Sequence, residues 1–506
     1  MGNLGRQSGC AGMKIHCRMK TIKNPLSGGG HYLFCLGILT GQAACAQKGQ
    51  DAVRPNIAII YIDDMGYGDP GCYGNPLIKT PNIDRLAEQG IRFTQFYVNS
   101  PVSSPSRVAL ITGQYPMKFG IHNFIAGTEQ NRDRNMNDFL DPEVPTMAEA
   151  FQAADYATGQ FGKWHMGGGR DIGDVPHPSE YGFEKSLVSF EGIGDRVLFR
   201  NHNLSEQSSR LGRGKIIWAE KHMSTSIYVD SALAFIGRNP DRPFYVHLFP
   251  NDVHDPHQPD SANLDNCEYL SENPYEQKFL AVLDEMDRQI GRFLSGLSEL
   301  GVRENTIIIL ASDNGPTDWS YYYTTDRYPE GYTGELYPPG FTGGFFGRKW
   351  SLYEGGIRVP FIASWPGHIP EDKTDSLTLL AGIDLFPTIC AMAGLPVPQG
   401  VDGTDKSKAL LGNPVSDVPV MMWEYASNAG GTLLPGNKDF ISPNLAIRDG
   451  KWKLLINADS TNTLLFDINA DPQEKHNLVE ENPELAENLA RKVLAWRRKM
   501  PVPMKL

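Results

Sequence analysis

Residues 100–113 read Ser-Pro-Val-Ser-Ser-Pro-Ser-Arg-Val-Ala-Leu-Ile-Thr-Gly, a run holding the residue types that a nucleophile and an anion site need. The preceding residues 93–98 alternate and are rich in aromatics, as a strand does. The following Val108, Ala109, Leu110 and Ile111 can open a buried helix. The polar residues between them then sit at a strand-to-helix turn, with Pro105 suited to the first helical turn. Free N–H groups and the positive end of the helix dipole at such a turn favour an anion. Ser103, with Arg107 one turn further on, has the form of a nucleophile facing an oxyanion. The plainer alternative is a capped helix start.

Two carboxylate pairs stand elsewhere. Residues 55–62 are a continuous apolar run, as in a parallel strand buried on both faces, and end in Asp63-Asp64. Some 250 residues later a second such run, 305–311, ends in Ser312-Asp313-Asn314. Adjacent carboxylates at a strand end are costly unless a positive charge joins them. Delivered to one sheet edge, the four side chains would form an oxygen cage for a hard cation, where ligands of open α/β sheets bind. Between them, residues 156–167 end a strand in Gly-Lys-Trp-His, which puts Lys163 and His165 on one side by the period-two rule. A strand at 242–249 is followed by His254 and His257, while His247 within it reads as a satisfied core residue.

The phrase Ser103-x-Pro105-Ser106-Arg107-x-x-Leu110-x-Thr112-Gly113 resembles the signature of the type I sulfatases in its serine form, as in gut Bacteroidetes. Residues 156–167 resemble that family's second signature, and residues 346–360 the loop that carries its last catalytic lysine, here Lys349. The resemblance implies an alkaline-phosphatase-like α/β fold: a large, mostly parallel mixed sheet between helices, with a small C-terminal antiparallel sheet and a packed helix. It also implies that Ser103 is oxidised to formylglycine, and that Asp63, Asp64, Asp313, Asn314 and residue 103 hold one divalent cation, usually Ca²⁺. In that scheme Asp313 takes a proton from the hydrated aldehyde, and Arg107 and Lys163 orient it. Lys349 holds sulfate oxygens, His254 protonates the leaving oxygen (His257 being the alternative), and His165 then deprotonates the second hydroxyl to expel sulfate.

Composition sets the surroundings. At 506 residues the chain exceeds one ordinary core. Residues 1–46 hold five basic side chains and no acidic one, then an apolar run and Ala44-Cys45-Ala46, which read as a signal peptide too short to span a membrane. Cleavage after Ala46 gives a periplasmic protein; lipidation at Cys45 would anchor it to the outer membrane instead. Without the five basic residues the formal charge moves from −12 to −17, which argues against a nucleic-acid surface. Three cysteines remain, too few for a disulfide framework. The catalytic domain is expected over 47–411 and a C-terminal α+β subdomain over 412–506.

The substrate expected from the resemblance is a sulfated glycan, first among them a galactose sulfated at O3 or another position, and the partner a radical-type formylglycine maturase. Asp171 and His177, after a glycine turn close to His165, could read sugar hydroxyls. Tyr323 belongs to a tyrosine-rich stretch, 320–340, that could stack on sugar rings or simply pack on itself. Glu354 and Arg358 read as a structural pair. A phosphatase or phosphodiesterase using Ser103 directly is the rival enzyme, but its two-zinc site normally has Asp-His where this chain has Asp313-Asn314. A glycan-binding pseudoenzyme is the third reading.

Overall fold

The computed structural model describes residues 54–167, 175–189, 194–200, 203–210, 213–324, 334, 337–416, 419–426 and 432–501. The leader at 1–46 and Asp171 lie outside the described residues.

The apolar run after Pro55 forms the strand Asn56–Ile62, buried along its whole length. Its alternate side chains explain why the sequence shows no polar alternation. Ile57, Ile59 and Tyr61 enter one core with Val108, Leu110 and Ile111 of the helix Ser103–Thr112. Ala58, Ile60 and Ile62 enter another with Phe279, Leu283, Met286 and Ile290 of the helix Pro274–Glu299. Each fully buried isoleucine contributes about 1.5–3 kcal/mol, so neither face tolerates a polar residue and the register cannot slip.

This strand lies in a ten-stranded sheet, with Thr306–Ser312 parallel to it on one side and Phe244–Phe249 parallel on the other. Beyond Phe244–Phe249 follow Ala157–Lys163, Lys185–Ser189, Arg196–Phe199 and Ile216–Ala219, all parallel. Toward the opposite edge, Phe361–Ser364 runs antiparallel to both of its neighbours, and Ile91–Phe93 and Lys373–Asp375 complete the sheet. Asn56–Ile62, Ala157–Lys163, Phe244–Phe249 and Thr306–Ser312 are mutually parallel, so their C-terminal ends all open at one edge.

Four antiparallel strands, Met421–Glu424, Leu445–Asp449, Trp452–Ile456 and Leu464–Asp467, form the small sheet. Asp449 pairs with Trp452, so the hairpin loop is Gly450-Lys451, with Gly450 at φ 67°. Leu489 and Val493 of the helix Pro483–Arg497 cover one face of this sheet. Ala446, Leu455 and Phe466 on its other face join the first large core. A buried charge cluster crosses the same junction. Lys453 lies 2.9 Å from both Glu354 and Glu474, and Arg358 lies 3.3 Å from Glu354. Glu354 and Arg358 are therefore structural, and they tether the loop that carries Lys349 to the C-terminal sheet.

Candidate active site

Five chain segments meet at the open sheet edge. Asp63 and Asp64 follow Asn56–Ile62, and Asp313 and Asn314 follow Thr306–Ser312. Asp64 adopts φ 63°, a left-handed turn that aspartate tolerates better than most residues and that brings its carboxylate back over the edge. Ser103 is the first residue of its helix, after the extended Val102, and Pro105 falls in the first turn. Lys163 ends its strand, and Lys349 arrives from the tethered loop.

The geometry is tight. Ser103 Oγ lies 3.1 Å from Asp63 Oδ1 and 3.4 Å from Asn314 Oδ1. Lys163 Nζ donates to both Asp63 oxygens at 2.7 Å and approaches Ser103 Oγ at 3.0 Å. Lys349 Nζ holds both oxygens of Asp64 at 2.7 and 2.6 Å, and Asn314 Nδ2 donates to Asp64 Oδ1 at 2.7 Å. Asp313 accepts the Asp64 N–H at 3.1 Å and two Arg107 N–H groups at 3.0 and 2.7 Å. Arg107 thus lies beneath the carboxylates, fully buried, its guanidinium 5.2 Å from the Phe249 ring centre.

Three carboxylates, Asp63, Asp64 and Asp313, balance three cationic side chains, Arg107, Lys163 and Lys349, all buried. Burial pushes the Asp64 carboxyl up to about 7, Lys349 opposing and the neighbouring Asp63 and Asp313 adding to the rise. Burial acts the same way on Asp63, but Lys163, His254, Arg107 and Lys349 hold it well below the usual carboxylate range. Burial also works to discharge Lys349, yet Asp64 and Asp63 keep its ammonium above the usual range. A divalent cation suits this donor set. The carboxylate and amide oxygens of Asp63, Asp64, Asp313 and Asn314 are hard ligands already gathered at one edge, and burial, with Asp63 and Asp313 beside it, makes Asp64 costly to ionise without added positive charge. Ligand atoms of Asp63, Asp64 and His254 also lie within 4.8 Å of one another, an overlapping set that includes one nitrogen. With a divalent ion added, the site would carry a surplus of two positive charges, which an ester anion can meet.

Above this floor opens a cavity of about 770 Å³ lined by Ser103, His165, His254, His257, Lys349 and a wall of aromatic residues. His254 Nδ1 lies 2.7 Å from the Asp255 carbonyl, which can only accept, so this nitrogen bears the proton and Nε2 faces Asp64 at 3.8 Å. Burial, then Lys349, lowers the basicity of His254 well below the ordinary imidazole range. His257 Nε2 lies 3.0 Å from the Val253 carbonyl and Nδ1 3.3 Å from the Tyr322 hydroxyl.

Some expectations need correction. The strand ends at Lys163, and His165 reaches the cavity from a left-handed turn at φ 57° rather than by strand alternation. His177 is not among the cavity residues: its Nδ1 accepts the Ser179 N–H at 3.1 Å and caps the short turn Pro178–Tyr181. Tyr323 turns its hydroxyl onto Asp318 at 2.6 Å, while its neighbours Tyr321 and Tyr322 line the cavity. His247 is fully buried between Tyr245 and Gln160, as the strand reading expected.

Sequence reasoning missed Phe124, Gln130, Tyr275, Lys278, Trp319 and Trp350 in the cavity wall. They come from four separate segments. Trp350, next to Lys349, and Trp319, five residues past Asn314, stood near a motif. Lys221, which grips the His254 loop, carried no signal at all.

The chain matches the sulfatase family over residues 55–395 and, over residues 342–499, the C-terminal region described as N-sulphoglucosamine sulphohydrolase, C-terminal. It belongs to the sulfatase family and is a sulfuric ester hydrolase. It is 28% identical to N-acetylgalactosamine-6-O-sulfatase of Bacteroides thetaiotaomicron over 90% of this chain and 96% of that protein. It is 30% identical to human arylsulfatase A, covering 84% of this chain and 83% of that protein. Among solved structures, Ps i-CgsB in complex with k-i-k-neocarrahexaose superposes with a TM-score of 0.71 at 26% identity, covering 89% of this chain and 94% of the other.

Proposed function

We propose that this protein is an exported carbohydrate sulfatase that uses formylglycine at position 103 and one divalent cation, Ca²⁺ by its oxygen ligands. The observation that carries the reading is the meeting of Ser103 Oγ with Asp63, Asn314 and Lys163, all within 3.4 Å, at the floor of an aromatic-walled cavity.

The cation, held by Asp63, Asp64, Asp313 and Asn314, would supply positive charge for the sulfate oxygens and acidify the attacking hydroxyl. Formylglycine, made by removal of two hydrogens from the Ser103 alcohol by a radical-type maturase, would supply a hydrate with one hydroxyl to attack sulfur and a second to release the product. Asp313 accepts the first proton, and its own position is set by Arg107. Lys163 orients residue 103, and Lys349 faces the sulfate. With the negative charge of the sulfate ester beside it, His254 would take up a proton on Nε2 and pass it to the leaving oxygen, and His165 takes the proton whose loss expels sulfate. Asn314 is the residue that speaks against a two-zinc phosphatase, since an amide is a poor zinc ligand.

Aromatic walls made by Phe124, Tyr275, Trp319, Tyr321 and Trp350 suit a sugar ring. A sulfated galacto-configured sugar, first galactose 3-sulfate, is the substrate we propose. Relatives named N-acetylgalactosamine-6-sulfatase, such as that of Sus scrofa at 31% identity, support the sugar and make position 6 the competing site. Export rests on the leader-like residues 1–46, with lipidation at Cys45 as the other outcome. Among the described residues, no helix is long and apolar enough to cross a membrane.

The test is expression with a competent maturase. The peptide containing residue 103 should weigh about two mass units less than its serine form, since two hydrogens leave the alcohol. The matured enzyme should then release sulfate from positional isomers of galactose and N-acetylgalactosamine sulfates. Wild-type activity in Ser103→Ala would overturn the reading.

A further inference from the structure

His254, the proton donor of the proposed reaction, stands in a loop between the strand Phe244–Phe249 and the short helix Ser261–Asp265. Its ring needs a fixed direction, yet this loop has no regular structure of its own. The anchor comes from elsewhere. Lys221 opens the short turn Lys221–Met223 ahead of the helix Ser224–Gly237 and is only 4% exposed. Its ammonium donates to the carbonyls of Pro256 at 2.8 Å, of Asp252 at 3.5 Å and of His254 itself. A buried ammonium needs an acceptor for each of its three N–H bonds, and here one five-residue segment supplies all three. Four residues on, the Thr225 hydroxyl donates to the Asp252 carboxylate, so the same stretch grips the loop twice.

The grip is aimed at the ring. Lys221 holds the carbonyls of His254 and Pro256, and the carbonyl between them, of Asp255, accepts from His254 Nδ1. Fixing that backbone therefore fixes the acceptor on Nδ1, which sets the direction of the ring and turns Nε2 toward the cavity. Lys221 is not among the cavity-lining residues.

We propose that Lys221 is a positioning residue for His254, fastening the loop so that Nε2 is held where the leaving oxygen must be protonated. This rests on the assignment of His254 as the acid. A poor leaving group depends on that proton more than a good one, so the signature is selective loss. The matured enzyme is assayed on phenyl sulfate and on 4-nitrophenyl sulfate, whose phenol leaves far more easily. In Lys221→Met, kcat on phenyl sulfate should fall about 10- to 100-fold, part of what a placed general acid supplies, and on 4-nitrophenyl sulfate by less than about 3-fold. Lys221→Arg, which keeps charge and donors, should recover part of the phenyl sulfate rate. The double variant Lys221→Met/His254→Ala should be no slower than His254→Ala alone, because both changes remove one function. Equal losses on both esters, no loss on either, or additive losses in the double variant would overturn the proposal. Should Lys221→Met not fold, Lys221→Arg is judged by the same ratio: unequal loss supports the proposal, while equal or no loss overturns it. His254→Ala separates the two levels. If it slows both esters equally, the acid assignment fails and this inference with it. If it is selective while the Lys221 variants are not, the positioning role alone falls.

Discussion

Lys163 Nζ lies 3.0 Å from Ser103 Oγ while it also bonds both oxygens of Asp63 at 2.7 Å. One ammonium therefore links Ser103 to the carboxylates of the site, at a buried place. Removing it would leave Asp63 with Arg107, at 3.7 Å, as its remaining close cationic side chain.

Lys163→Met is expected to lower kcat/KM on 4-nitrophenyl sulfate by at least about 100-fold, the scale of losing one preorganised charge at a reacting centre. In chelator-treated protein the same change should cost about 3–5 kcal/mol in urea unfolding, because it strands a buried carboxylate. Added Ca²⁺ should return part of that loss. A variant of full activity would remove Lys163 from the chemistry.

Chelation should abolish activity and lower the unfolding temperature, and Ca²⁺ should restore both. Binding to the folded state alone gives about 2.7 kcal/mol at a free ion concentration 100 times Kd. Asn314→Ala should weaken Ca²⁺ at least about tenfold, since one oxygen ligand is lost. Two zinc ions per chain with full activity would contradict the single-cation reading.

His177 caps a turn instead of facing the cavity, so His177→Ala should cost about 0.5–2 kcal/mol of stability, as a lost cap does. Its kcat/KM should stay within about twofold of wild type on aryl and sugar sulfates alike. A loss confined to sugar substrates would return His177 to the substrate.

Two buried histidines make stability depend on pH. Burial lowers His122 to about 4, its backbone acceptors opposing, and burial together with Arg107 lowers His247 to about 3. Both pKa values fall below that of the unfolded chain, so the stability these groups confer is present above about 6.5 and is lost as pH falls toward 4 and 3. Buried Asp69 and Asp252, pushed up to about 7, act in the opposite direction, so the informative quantity is a difference between proteins. His122→Gln should take up about one proton fewer on unfolding between pH 6.5 and 4. Urea midpoints measured across that window test it, and unchanged slopes would show that His122 is not neutral in the folded protein.

The residues at the floor of the site were legible in residue order because they sit at strand ends and at a helix start. Apolar runs that stop at Asp63-Asp64 and at Ser312-Asp313-Asn314 read as strands ending at an edge, since adjacent carboxylates are costly unless positive charge joins them. Pro105 and the apolar run after Arg107 marked the helix start with equal clarity. The leading substrate residues were not legible. His177 looked available because it follows His165 by twelve residues, yet chain proximity does not say which way a loop turns, and its ring was taken by Ser179. Trp319, Trp350, Tyr275 and Lys278 share a wall only because the helix beginning at Pro274 packs beside the loops after Asn314 and before Lys349. Lys221 shows the limit most plainly. In sequence it is one lysine among many, and only the fold brings its ammonium under the carbonyls of Asp252, His254 and Pro256. Periodicity and motif spacing, which are properties of the chain, determined the strands and the helix start whose ends meet at the site. Which side chains close the cavity and which hold the His254 loop was decided by long-range packing, because those contacts join segments that no local pattern relates.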